Sequence, residues 1–139
     1  MKSTRILWSI LLLTFLLVGC VLPAKDFQEA RPSEAVLFVD EIGPDTYEVV
    51  FAVVDSENPA VCIDGADGNP VCTTISVVGE DIASDDPQCT LSEGTTLLCI
   101  LPGSITSYRL NVSSAVRPVA SIGFYLERDR TQPLYLDAR

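Results

Sequence analysis

Tyr47-Glu48-Val49-Val50-Phe51-Ala52-Val53-Val54 is the stretch that decides the fold. Tyr47, Val49, Phe51 and Val53 alternate with Glu48, Val50, Ala52 and Val54, a period of two sustained over eight residues. β-Branched and aromatic side chains dominate it, and these suit a pleated surface better than a helix. Apolar residues on both faces predict a central, largely covered strand. Upstream, the short apolar run Ala35-Val36-Leu37-Phe38-Val39 is stopped by Gly43-Pro44-Asp45. Downstream, strands are predicted over 71–78, 95–101, 105–113 and 119–127.

In the 105–113 segment Tyr108, Leu110 and Val112 face one way and Ser107, Arg109 and Asn111 the other. In the 119–127 segment Ala120, Ile122, Phe124 and Leu126 share a face. Leu134-Tyr135-Leu136, after Pro133, reads as a last edge strand or a docked tail. No stretch after residue 22 sustains a helical period. About seven short strands separated by Gly, Pro and Asp turns predict an all-β, immunoglobulin-like β-sandwich over 34–139.

Composition narrows the chemistry. The chain has 139 residues, 19 acidic and 9 basic, with no histidine and a net charge of −10. That length allows one ordinary domain. Without histidine the usual general base, the commonest zinc ligand and every Ser-His or Cys-His dyad are missing. Phosphate binding needs a basic footprint, so nucleic acid is excluded as a partner. A hydrophobic content of 47% is too high for a disordered acidic chain.

At the N-terminus, Lys2 and Arg5 precede an apolar run from Ile6 to Val18 interrupted only by Ser9 and Thr14. Thirteen helical residues rise about 20 Å, short of a bilayer core of roughly 30 Å. The run ends in Leu17-Val18-Gly19-Cys20, and here the chain resembles the bacterial lipoprotein signal family. The resemblance implies that residues 1–19 are a signal peptide. It also implies that Cys20 becomes the diacylglycerol-bearing first residue, carrying palmitate-type chains. Val21 to Ser33, with Pro23, Pro32 and mixed charges, lacks either apolar period, so 20–33 reads as a short tether. A protein so anchored lives on the extracytoplasmic face of a cell membrane. The plainer alternative is an uncleaved short anchor running on through Val21-Leu22, with Cys20 as one more apolar residue.

Removal of 1–19 takes Lys2 and Arg5 with it and leaves 7 basic against 19 acidic residues, a net charge of −12. The charge is uneven: residues 26–93 hold 16 acids and one base, Arg31, whereas 94–139 hold three acids and five bases. Such polarity serves either a basic partner or, more simply, solubility.

Four cysteines remain, Cys62, Cys72, Cys89 and Cys99, an even number in a chain addressed out of the cytosol, so disulfides are expected. Four allow three connectivities, and the spacing favours 62–72 and 89–99, since each pair flanks nine residues with a turn at the centre. Folding each segment about its midpoint sets Ile63 opposite Val71 and Leu91 opposite Leu97. Each bond closes an 11-residue loop and contributes about 2.8 kcal/mol by loop entropy. Redox catalysis would want Cys-x-x-Cys at a helix start, and zinc would want free thiolates; neither condition is met.

Cys89 to Cys99, then Leu101-Pro102-Gly103-Ser104 and Tyr108-Arg109-Leu110-Asn111-Val112, resembles the conserved-repeat immunoglobulin-like modules of bacterial surface proteins. Tyr47 to Val54, Asn58-Pro59-Ala60 and Ile75-Ser76-Val77 take the place of its earlier strands. The Cys62/Cys72 pair, the single copy and residues 119–139 depart from that pattern. The resemblance implies a spacer or adhesive element, hence interaction rather than chemistry.

Candidate ligands concentrate in Asp64-Gly65-Ala66-Asp67-Gly68-Asn69, where Asp64, Asp67 and Asn69 offer oxygens in a Gly-bent acidic loop suited to calcium. Counted as an EF-hand from Asp64 the twelfth position is Ile75, so that motif fails; a site completed by Asp55, Glu57, Asp81 or Asp85 remains, against a plain Asp/Gly/Asn turn. Asp81, Asp85 and Asp86 read first as a solvated loop, since glycoside hydrolysis needs two carboxylates across a shaped cleft. No Gly-x-Ser-x-Gly occurs. Asn111-Val112-Ser113 fits a glycosylation acceptor but lies in a predicted strand of a bacterial-type chain. Tyr125 is the more exposed aromatic candidate, with Phe124 in the core. The sequence thus predicts a lipid-anchored, non-catalytic interaction or structural module contacting the membrane and an envelope or surface protein, with calcium or small-ligand binding as the alternative function.

Overall fold

The computed structural model describes residues 26–138; Cys20, the signal segment and the first part of the tether lie outside the described residues. Every regular element described is a strand: β1 (Gln28–Glu29), β2 (Ala35–Gly43), β3 (Thr46–Val53), β4 (Ala60–Val61), β5 (Ile63–Asp64) and β6 (Pro70–Val71). There follow β7 (Thr73–Val78), β8 (Cys89–Ser92), β9 (Thr96–Leu101), β10 (Ser107–Ser113), β11 (Val119–Leu126) and β12 (Asp129–Ala138). Seven of them, β2, β3, β7 and β9 to β12, are six residues or longer, as the turn spacing predicts.

Two sheets form the sandwich, one ordered β10-β3-β2 and the other β1-β12-β11-β7-β9-β8, with β4 adding to the end of β11. Strands β2-β3-β10 and β12-β11-β7 occupy the A-B-E and G-F-C places of an immunoglobulin-like sandwich. β5 and β6 make a separate small hairpin.

The deciding strand, β3, is central as expected: Phe51 pairs with Leu37 of β2 on one side and Tyr108 of β10 on the other. Its alternation becomes burial. Val49 and Phe51 are fully inaccessible, and Tyr47 and Val53 nearly so. Across the interface Ile75 and Val77 of β7, Leu97 and Leu101 of β9, and Ala120, Ile122 and Phe124 of β11 complete the core. At its centre the Phe51 and Phe124 rings meet edge to face, centroids 5.2 Å apart and planes at 61°, the geometry that sets a positive ring edge against a negative face.

Three readings need correction. The C-terminal strand is neither a tail nor an edge: β12 runs ten residues, pairs with β11 and is flanked by β1. Its alternation is hidden because Pro133 falls where the β11–β12 register shifts, between Phe124↔Leu134 and Leu126↔Asp129. Part of the segment expected as tether, 20–33, belongs to the sandwich: Gln28 and Glu29 pair in parallel with Leu134 and Tyr135, and Ala30 is buried in the core. Two residues are too few to show a period, and their partner lies a hundred positions away. Tyr125 is only 5% exposed, because β4 pairs alongside it through Val61.

The two ends of the sandwich differ. At one end lie Asp26, whose carbonyl accepts Gln132 Nε2 at 3.1 Å, the 54–59 connection and the β11–β12 turn. At the far end the connections 79–88 and 114–118 and the β2–β3 turn are joined through Ser114, 1% exposed. The Ser114 N–H donates to the Asp45 carbonyl at 2.9 Å and its hydroxyl to the Glu80 carbonyl at 3.2 Å. Gly79 is required there, since a Cβ would fall 2.4 Å from Ser114 Oγ. Because Phe51 fills the centre of both sheets, Phe51→Ala is expected to cost about 3–5 kcal/mol, read as a lowered urea midpoint with an unchanged slope.

Candidate functional site

The four cysteines pair as 62–72 and 89–99, with Cα separations of 4.1 and 4.0 Å. The registers are those obtained by folding each segment at its midpoint: Ile63↔Val71, Cys89↔Cys99 and Leu91↔Leu97. The two bonds differ in surroundings. Cys99 is fully buried in the core, whereas Cys62 and Cys72 are part-exposed, with Cys62 Sγ accepting the Gly103 N–H at 3.3 Å. Replacing either pair by alanine is expected to cost about 2–3 kcal/mol. The 89–99 replacement should cost more because it also leaves a core cavity; paired thermal melts of the two double variants check the order.

The hairpin closed by Cys62–Cys72 carries the oxygen-rich loop. Gly65 N–H donates to the Asn69 carbonyl at 2.9 Å and Gly68 N–H to the Gly65 carbonyl at 3.0 Å, so the loop closes on its own backbone. Asp67 and Asn69 are brought together by bonding each other: Asp67 Oδ1 accepts the Asn69 N–H and Oδ2 accepts Asn69 Nδ2, both at 3.1 Å. Asn69's backbone N–H, then its side-chain amide, hold the Asp67 carboxyl below the usual carboxylate range. Asp64 stands opposite Pro70 at the base of the hairpin. Both oxygens of Asp67 are therefore committed to an Asx-type turn.

The carboxylates expected to complete the site do not converge on it. Asp55 Oδ1 accepts the Glu57 N–H and its Oδ2 pairs with Arg128, each at 2.9 Å. Asp81 sits at the far end with φ 48°, and Asp85 belongs to the connection that lies along β10. Among the described residues no group of three or more Cys, Asp or Glu is close enough to hold a metal ion.

Asp86, read from sequence as a solvated loop residue, accepts the phenol O–H of Tyr108 and the Gln88 N–H at 2.9 Å. This bond holds the 84–88 connection over the outer edge of β10, where Ser84 Oγ also donates to the Asn111 carbonyl at 2.8 Å. Burial first, then the hydrogen bond and the negative charge of Asp86, push the Tyr108 phenol well above its ordinary value. A folded-state pKa raised above the unfolded one stabilises fully below the unfolded value, about 10, and that contribution is lost as pH rises toward the folded value. Alkaline titration of phenolate absorbance is expected to show one late step, absent in Tyr108→Phe and shifted to lower pH in Asp86→Asn.

A concavity of about 550 Å³ lies at the Asp26 end of the sandwich, between the start of β2, the 54–59 connection and the β11–β12 turn. Leu126 and Leu134 form its buried floor, and Arg31, Glu34, Asp55, Arg128 and Asp129 its walls. Its charges are mutually engaged: Arg128 with Asp55 at 2.9 Å, Arg31 with Glu34 at 3.9 Å. Thr131's hydroxyl at 2.6 Å, then its N–H, lower the Asp129 carboxyl. These residues come from separate segments, so nothing in the sequence groups them beyond the excess of bases after residue 94.

No protein-family model matches the chain, and no curated protein matches it. Among solved structures the human F-spondin reeler domain aligns over 85% of this chain and 96% of its own, with 8% identity and a TM-score of 0.46. An exo-β-N-acetylglucosaminidase of the GH20 type from Vibrio harveyi, an inactive D437A mutant, aligns over 76% of this chain at 13% identity and a TM-score of 0.41. The same glycosidase with N-acetylglucosamine gives 10% identity and a TM-score of 0.37. This chain spans 17% of the glycosidase's length.

Proposed function

We propose that this protein is a lipid-anchored, non-catalytic interaction or structural module on the extracytoplasmic face of a bacterial cell membrane, with an envelope or surface protein as its partner. The observation that carries the reading is Leu17-Val18-Gly19-Cys20 after a charged start and an apolar run. Two or three acyl chains on Cys20 give firm attachment, since each buried CH₂ contributes about 0.8 kcal/mol.

The fold supports a role close to that surface. Six residue steps lead from Cys20 to Asp26, where the chain reaches the sandwich. At about 3.3–3.6 Å per residue they span at most about 22 Å. The tether end then faces the lipid and the far end, tied together through Ser114, faces away. Two local disulfides suit an oxidising compartment. The non-catalytic reading rests on the lack of histidine and on carboxylates engaged in local bonds: Asp55, Asp67, Asp86 and Asp129 each accept at least two hydrogen bonds within the fold.

The test is the intact mass of the protein taken from its own membranes, before and after reduction. Acylated Cys20 as first residue, a four-hydrogen gain on reduction and loss of the membrane fraction in Cys20→Ala are the expected results. An unlipidated chain beginning at Met1 would overturn the reading.

A further inference from the structure

The chain leaves one line of strand and rejoins it almost where it left. β4 and β7 both lie antiparallel along β11: Ala60 and Val61 pair with Leu126 and Tyr125, and Thr74 and Ile75 with Gly123 and Ile122. On β11 Phe124 separates the two contacts, whereas 62–73 of the chain lie between them. The hairpin of β5 and β6 is thus an excursion from one interrupted strand, and the Cys62–Cys72 bond closes its neck. Both sides of that neck are held without the disulfide. Ala60 exchanges two backbone hydrogen bonds with Ile105, at 2.9 and 2.8 Å, besides its place on β11. Thr73 and Thr74 pair with Leu101 and Ile100 of β9. Inside the excursion the register joins Ile63 to Val71 and Asp64 to Pro70, which has no N–H to give. A hairpin of that length is marginal by itself. Opening the neck therefore frees 63–71 and leaves the sandwich standing.

The surroundings of the sulfurs point the same way. A thiolate attacks one sulfur of a disulfide and expels the other, so the attacked sulfur needs access and the leaving one needs its charge stabilised. Cys62 and Cys72 are both part-exposed. The Gly103 N–H, 3.3 Å from Cys62 Sγ, aims a donor at the charge that develops there on cleavage. In the other bond Cys89 is part-exposed, but its partner Cys99 is fully buried among core side chains. Attack on Cys89 must therefore expel a thiolate into an apolar site, which burial disfavours. Thiols at 89 and 99 also stay face to face, because β8 pairs with β9 over four residues and β9 is held by β7.

We propose that Cys62–Cys72 is a thiol-exchange site, a disulfide that reacts with a low-molecular-weight thiol while Cys89–Cys99 stays closed. The incoming thiolate bonds to Cys72 Sγ, and the electron pair of the broken S–S bond goes to Cys62 Sγ, which takes a proton from water. A second thiolate then attacks its own kind in the mixed disulfide and releases Cys72 as a thiolate, protonated in turn. Two small thiols are oxidised to one disulfide as the protein disulfide is reduced to two thiols. The outcome is local: the 62–72 hairpin is unlatched and both sheets keep their registers.

The test uses the full chain purified without reductant. N-ethylmaleimide first blocks any thiol already free, Cys20 included where it carries no lipid, so the result does not depend on the anchor. The protein is then exposed to reduced glutathione at mildly alkaline pH, sampled over time, alkylated with iodoacetamide and mapped by peptide mass. Labels at Cys62 and Cys72 are expected to appear about tenfold or more faster than at Cys89 and Cys99, with the trapped glutathione adduct on Cys72. Equal rates, faster opening of 89–99, or an adduct on Cys62 would overturn the proposal. In urea the two bonds should react alike, because burial no longer separates them; a preference that survives there comes from local sequence and also overturns it. Hydrogen exchange of the partly reduced protein completes the test. Faster exchange confined to 63–71 is expected, and loss of protection across β3 and β11 would show that the opening is not local.

Discussion

The rest of the structure depends on the meeting of two apolar sheet faces through β3 and β11, with Phe51 and Phe124 in edge-to-face contact at the centre. Each face alone would expose a row of valine, isoleucine and leucine, and a three-stranded sheet has little stability without a covering layer. Packing β10-β3-β2 on β12-β11-β7-β9 removes both rows from water at once. The surface elements, from Asp26 to the far-end connections, hang from strands that this contact holds in place.

The cysteines work at a different scale. Each bond closes a loop of local sequence, so each constrains the unfolded chain over a short stretch instead of linking the sheets. The 89–99 bond joins the edge strand β8 to β9 and thereby extends the larger sheet. The 62–72 bond stiffens a hairpin whose oxygen-rich tip is occupied by its own Asp67–Asn69 bonds. Acidic character here serves the geometry of turns and connections. Asp67 shapes a loop, Asp86 holds a connection to β10, and Asp55 joins the 54–59 segment to Arg128.

That division explains which features could be read in advance. Strand alternation and cysteine spacing are local patterns, so β3, β10, β11 and both hairpin registers are visible in the residues themselves. The concavity at the Asp26 end is not, because Arg31, Asp55, Arg128 and Asp129 are joined only when β1 pairs with β12 and β4 with β11. Asp67 and Asn69 look like ligands beside Asp64 because the chain lists oxygens without showing that these two bond each other. Tyr125 looks exposed because alternation assigns it to the outer side, and only the two-residue β4 covers it.

By itself, then, the sequence determined an all-β chain, six of its seven main strands and the two local disulfides, since each follows from side-chain period or loop length within a few residues. The tertiary structure decided where β1 and β12 sit, which carboxylates are engaged and at which end of the sandwich Asp26 enters. Those depend on contacts between segments tens to a hundred positions apart, for which a single chain of residues carries no periodic signal.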